Sequence, residues 1–277
     1  MNAVELTLWI AAGSFVAGLL GSLTGLGGGV VIVPLLTLVF HVDLRYAIGA
    51  SLVSVIATSS GAAAAYLKEG YSNIRVGMFL EVATTLGALM GAYLTTRVPA
   101  SAIAVVFGVV LLYSAWISSR PEHQPSAGPP DRIAGLLRLN GAYPDANSMR
   151  EYHPRRVPLG FGVMYVAGVL SGLLGIGSGA VKVLAMDQAM GIPFKVSTTT
   201  SNFMIGVTAA ASAGVYLRRG YVDPALAMPV MLGVLAGALL GARILPGARS
   251  STLRLVFSVA IAALAVEMIA KGLGHGF

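Results

Sequence analysis

Apolar residues fall in ten runs, at about 6–23, 27–40, 47–67, 76–96, 101–118, 159–174, 178–190, 197–217, 224–245 and 253–271. A helix needs about 20 residues at 1.5 Å each to cross a hydrocarbon core of about 30 Å. Six runs reach or approach that length. The runs 27–40 and 178–190 are too short, and each follows its predecessor through a glycine cluster, Gly25-Leu26-Gly27-Gly28-Gly29 and Gly175-Ile176-Gly177-Ser178-Gly179. Each pair reads as a hairpin or broken helix that turns inside the membrane. Such backbone is tolerated there only when buried in protein or lining a cavity.

The two clusters lie 150 residues apart, and the offset extends well beyond them. Ser51 matches Ser201, Thr58 matches Thr208, Tyr66-Leu67 matches Tyr216-Leu217, and Gly70-Tyr71 matches Gly220-Tyr221. From Trp9 to Ala92, 23 of the 84 pairs are identical without a gap. The chain is therefore a duplicated unit of the kind secondary transporters use. Three segments follow: a first transmembrane repeat at 1–118, a linker at 119–158, and a second repeat at 159–277.

Composition agrees. The 277 residues are 56% hydrophobic and 10% charged, with a mean hydropathy of +0.81. A soluble domain carries roughly 25% charged residues, so this chain lacks the polar surface to face water. The predicted class is an all-α polytopic membrane protein. Absence of cysteine excludes disulfides and thiolate metal sites. The excess of 18 Lys+Arg over 11 Asp+Glu is read as cytoplasmic loops rather than as a nucleic-acid footprint.

The linker holds the largest basic cluster and many prolines, which places it in the cytoplasm. Within it, 131–139 reads as a short amphipathic helix with Ile133, Leu136 and Leu137 on one face. Asn140-Gly141 and Pro144-Asp145 signal a following hairpin. If each glycine hairpin counts as no crossing, the repeats are inverted, both termini lie outside, and Lys+Arg divide 12 inside to 5 outside. If each counts as one crossing, the repeats are parallel and the division is 11 to 6. Inversion is preferred because it brings both tips to one midplane site.

The chemistry-bearing residues gather at those tips. Half-helices starting near Gly28 and Ser178 present free N–H groups and a positive dipole end, and glycine admits a ligand close to the backbone. Gly27, Gly28, Gly29, Gly177, Ser178 and Gly179 are thus candidate anion contacts, with close hairpin packing as the plainer alternative. Lys182, one turn into the second half-helix, replaces Ile32 of the first. A cation there opposes the dipole and is costly in a membrane, costs a bound anion would lower. The alternatives are a snorkelling lysine or one that burial leaves uncharged. With no evident protein partner for the lysine, Lys182→Met is expected to weaken anion binding far more than it lowers stability, since removing an unpartnered buried charge can itself be stabilising.

Thr200, Ser201 and Asn202 open the next helix as neutral donors, and Ser51 begins the matching first-repeat stripe. For these, interhelical bonding competes with ligand binding. Glu81 lies about 9 Å along its helix from Arg75 by helical rise. An interfacial position suits it better than the alternative, a proton-coupling carboxylate. Arg45, Arg218 and Arg219 read as solvated loop charges.

The Gly-x-Gly-Gly-Gly cluster, polar helix start, and Gly-Tyr followed by Gly-Ala-x-x-Gly, all duplicated, resemble the TauE/SafE sulfite exporter family of the 4-toluene sulfonate uptake permease superfamily. The stretch Asn140-Gly141-Ala142-Tyr143 resembles its linker. The resemblance implies an inner-membrane carrier of sulfite, organosulfonates or related small anions, without a cofactor. Its partners are then the anion and the bilayer, with homo-oligomerisation open.

The leading expectation is therefore a secondary transporter, an exporter working by alternating access, and not an enzyme. An anion channel, or a carboxylate transporter of the same fold, is the alternative within transport. A structural or sensory membrane protein is the alternative outside it. No Walker sequence surrounds Lys182. Ser178 has no base, because all four histidines fall in loops or at the terminus.

Overall fold

A computed structural model describes residues 3–24, 28–68, 72–118, 131–145, 148–244 and 250–274. The first half comprises α1 (Ala3–Thr24), α2 (Gly29–Pro34), which runs on as a π-helical turn (Leu35–Val39), α3 (Leu44–Lys68), α4 (Ile74–Leu94) and α5 (Ala100–Ser118). Between the halves lie α6 (Arg132–Leu136) and a hairpin of β1 (Gly141–Asp145) and β2 (Ser148–Tyr152). The second half comprises α7 (Val157–Leu174), α8 (Gly179–Leu184) with its π turn (Ala185–Ala189), α9 (Phe194–Arg218), α10 (Pro224–Ile244) and α11 (Ser250–Leu273). The two short apolar runs are thus half-length helices of 11 residues, each a six-residue α segment and a five-residue π segment.

Both half-helices fold back on the helix before them. Gly28 packs beside Gly18, and Leu35 and Phe40 lie beside Gly13, so α2 runs antiparallel to α1. At the other end of the chain Met190 returns to Gly160 and accepts a hydrogen bond from the Arg155 N–H at 2.8 Å. Each half-helix then runs antiparallel to the helix after it. Ser51 Oγ reaches the Gly29 carbonyl (3.5 Å) and Ser201 Oγ the Gly179 carbonyl (3.4 Å), at repeat-related positions.

The main packing partners are exchanged between halves: α1 with α10, α7 with α4, α3 with α9, and α5 with α11. Glycine makes the first two contacts close. A Cβ on Gly87 or Gly91 would sit 2.2 and 2.0 Å from the carbonyl oxygens of Tyr165 and Val169. One on Gly233 or Gly237 would sit 2.4 and 2.0 Å from those of Ala11 and Phe15. Contacts that advance together along both chains mean parallel helices, so α4 runs with α7 and α10 with α1. By contrast α3 and α9 run antiparallel: the start of α3 (Gly49) abuts Tyr221 beyond the end of α9, and Thr200 near the start of α9 accepts from Asn73 N–H at 3.0 Å. These glycine ladders are helix-packing faces.

Along α7 the glycines separate cleanly. A Cβ on Gly172 would lie 2.0 Å from the Ala88 carbonyl, whereas one on Gly162 meets no atom within 4 Å. Gly172→Ala is expected to cost about 1–3 kcal/mol by overpacking. Gly162→Ala should gain up to about 1 kcal/mol from helix propensity. Melting temperatures of the two purified variants check the contrast.

The linker forms the expected hairpin, with Gly141 opposite Tyr152 and Tyr143 opposite Arg150. Its helix is shorter than predicted and turned the other way. Ala134 and Leu139 are buried, while Ile133, Leu136 (83% exposed) and Leu137 face outward. The cause is Asp131, whose Oδ1 accepts from Ile133 N–H and whose Oδ2 accepts from Val157 N–H, fixing the helix start against α7. Ser119 to Pro130 lie outside the described residues.

Candidate functional site

The two hairpin tips meet at the middle of the bundle. Gly28 packs on Val234, the midpoint of α10, and a Cβ on Gly29 would lie 3.3 Å from the Gly175 carbonyl. Ser51 Oγ donates to that same carbonyl at 2.8 Å, tying one tip to the other. Val55 touches Gly29 on one side and Gly177 on the other. Gly27 lies outside the described residues. Most tip glycines also serve close packing: added Cβ atoms on Gly28, Gly29 and Gly177 would press within 2.8 Å of Val234, Val55 and Ile205.

Ser178 differs from its neighbours. It is buried in a left-handed conformation (φ 49°), caps nothing, and among the described residues its Oγ has no hydrogen-bond partner. A non-glycine residue in that region stores strain of order 1–3 kcal/mol, a cost met mainly at functional sites. Its repeat counterpart is Gly28, so the second tip carries a hydroxyl that the first lacks.

Lys182 is fully buried. It does not snorkel. Its Nζ donates to Thr208 Oγ1 near the middle of α9, and Thr208 Oγ1 donates in turn to Glu81 Oε1 on α4 at 2.7 Å. Thr85 Oγ1 adds a second bond to the same carboxylate oxygen at 3.1 Å. Glu81 is 8% exposed, so the interfacial position preferred from sequence is corrected: α4 packs between α7 and α9 and carries the carboxylate inside. Its other oxygen, Oε2, is buried with no partner among the described residues.

The remaining candidates divide. Ser201 holds the start of α8 through the Gly179 carbonyl. Thr200 accepts from Asn73 and so joins α9 to the start of α4. Asn202 is half-buried. Arg45 and Arg219 are not simply solvated: they donate to the last carbonyls of α4, at Thr95 and at Ala92 and Tyr93. Cations at a helix C-terminus complement its dipole.

Sequence reasoning missed the Glu81–Thr208–Lys182 chain, though a signal existed. Counted by the 150-residue offset, Glu81, Thr208 and Lys182 correspond to Met231, Thr58 and Ile32. Both charges break the repeat, with opposite signs, around a threonine the repeat keeps.

Among the described residues, long helices in a largely apolar chain, with two half-helices meeting between them, fit an all-α membrane protein. The model of the sulfite exporter TauE/SafE family matches residues 10–268, and the chain belongs to that family. It is 28% identical over 266 residues to the probable membrane transporter protein YunE of Bacillus subtilis (strain 168), covering 93% of this chain and 95% of that one. With YdhB of the same organism, also named a probable membrane transporter protein, identity is 29% over 234 residues, covering 83% and 86%. With the probable membrane transporter protein MJ0441 of Methanocaldococcus jannaschii it is 27% over 269 residues, 92% of each. No solved structure matches the chain significantly. The protein is a membrane transporter of this family.

Proposed function

We propose that the chain is a secondary carrier in the cell inner membrane that exports small sulfur-containing oxyanions such as sulfite or organosulfonates. The observation that carries this reading is the fully buried Lys182 on a half-helix whose start, at Ser178, holds an unbonded buried hydroxyl. An oxyanion there would take the hydroxyl as a donor and the ammonium as its counter-charge. Membership of the sulfite exporter TauE/SafE family supports sulfite. The two halves are read as inverted repeats. The antiparallel packing of α3 on α9, and of α5 on α11 through Gly108 and Gly272, supports that reading. The hairpins then make no net crossing, the linker lies in the cytoplasm, and the two tips share one midplane site around which access alternates. The chain works as a carrier and not as an enzyme.

Export needs little help. A divalent anion leaving a cell held at about 100 mV inside-negative gains about 4.6 kcal/mol, at about 2.3 per charge.

The test is thermal stability of the purified protein with sulfite, sulfate, ethanesulfonate and acetate. Sulfite or ethanesulfonate is expected to raise the melting temperature, because an anion at 100 times its Kd stabilises by about 2.7 kcal/mol. No shift with any of the four would overturn the reading. Counterflow in vesicles separates a carrier from a channel.

A further inference from the structure

We infer that Glu81 carries a proton across with the anion: the substrate and the Glu81 carboxylate alternate as the partner of Lys182. The inference rests on the proposed anion site and deepens it by naming the coupled ion. Without substrate, Lys182 and Glu81 compensate each other through Thr208. Once an anion engages Lys182, a charged Glu81 would be a second negative group beside it, with its counter-charge taken. The one change that keeps the region neutral is protonation of the carboxylate. Oε2, buried and unbonded among the described residues, is the atom open to receive that proton.

Among the described residues, Lys182 is the charge that faces Glu81. On α4 itself Thr84 and Thr85 lie beside it, and Arg75 sits in the exposed first turn. Packed against α4, α7 contributes Tyr165 as its titratable side chain, and that residue is exposed. α9 contributes Lys195 and Arg218 near its ends and Tyr216, whose hydroxyl bonds Thr95 and the Gly172 carbonyl. α8 contributes Lys182.

The cycle balances. A proton leaves water on the side where the anion enters, forms the Glu81 O–H bond, and returns to water on the other side when the anion departs and the carboxylate rejoins Thr208. A monoanion then crosses with no net charge. A divalent anion crosses with one net negative charge, so an inside-negative potential still favours its exit.

Proteoliposomes of the full chain test this with ethanesulfonate, which takes up no proton near neutral pH, using a lumenal pH dye and a potassium diffusion potential. Wild-type uptake should acidify the lumen, about one proton per anion, and should not respond to voltage. In Glu81→Gln, fixed in the neutral form, whatever net ethanesulfonate uptake remains should bring no acidification and should now depend on voltage. Ethanesulfonate uptake by the wild type without lumenal acidification overturns the inference and leaves the carrier reading standing, whatever the fate of the variant. If the wild type moves neither ethanesulfonate nor sulfite, the carrier reading fails and this inference falls with it.

Discussion

Lys182→Met is expected to lose anion-induced stabilisation and to melt well below the wild type. The second effect reverses the expectation drawn from sequence, where removing a lysine without a partner costs little stability. In the structure its ammonium balances Glu81 through Thr208, and both are buried. Removing one member of a buried pair leaves the other uncompensated, at a cost of about 3–5 kcal/mol. Replacing the whole pair is far cheaper, and is often neutral or stabilising. Lys182→Met combined with Glu81→Gln should therefore recover most of the melting temperature and none of the anion response. Lys182→Arg should keep part of both, since a planar guanidinium does not reproduce a compact ammonium donating to one hydroxyl. Melting curves of the four proteins with and without sulfite decide it. A single Met variant as stable as the wild type would show that Glu81 does not depend on Lys182.

The parts of this architecture that are local in sequence were legible in it. The half-helices were marked by runs too short to span and by the glycine clusters before them. The linker hairpin was marked by its turn residues. What escaped depends on contacts between distant segments. Glu81 sits six residues from Arg75, which alone suggests the interface; only the docking of α4 between α7 and α9 takes it inside. Lys182 and Glu81 are separated by about a hundred residues and belong to different halves. No local pattern pairs them, and the pairing shows only as two opposite departures from the repeat. The face of α6 was missed for a related reason. Apolar periodicity named Ile133, Leu136 and Leu137, but a five-residue helix has little face to bury, and the two hydrogen bonds of Asp131 set its orientation instead.

Asn73→Ala is expected to free the linker and weaken the start of α4 together. Asn73 Oδ1 caps α4 by accepting from Val76 N–H at 3.1 Å. Its Nδ2 donates to the Leu139 carbonyl (3.2 Å) and to the Tyr152 hydroxyl (2.7 Å), so one side chain clasps both flanks of the linker hairpin. Burial pushes the Tyr152 phenol above its ordinary range, so it meets Asn73 as a neutral hydroxyl. The cap contributes about 1 kcal/mol and each further bond about 0.5–1.5, so the Ala variant should lose roughly 2–4 kcal/mol. Asn73→Asp keeps a good cap but offers no donor to Leu139 and sets a carboxylate against that carbonyl. It should therefore recover the helix contribution and, because the Tyr152 hydroxyl can donate to the carboxylate, that bond, but not the clasp on Leu139. Limited proteolysis of the linker, read beside the melting temperature, separates the two roles. Both variants should be cut faster than the wild type, and only Ala should lose the full stability. Unchanged cutting in both would mean that the buried Leu139 and Tyr143, with the Asp131–Val157 bond, hold the linker without Asn73.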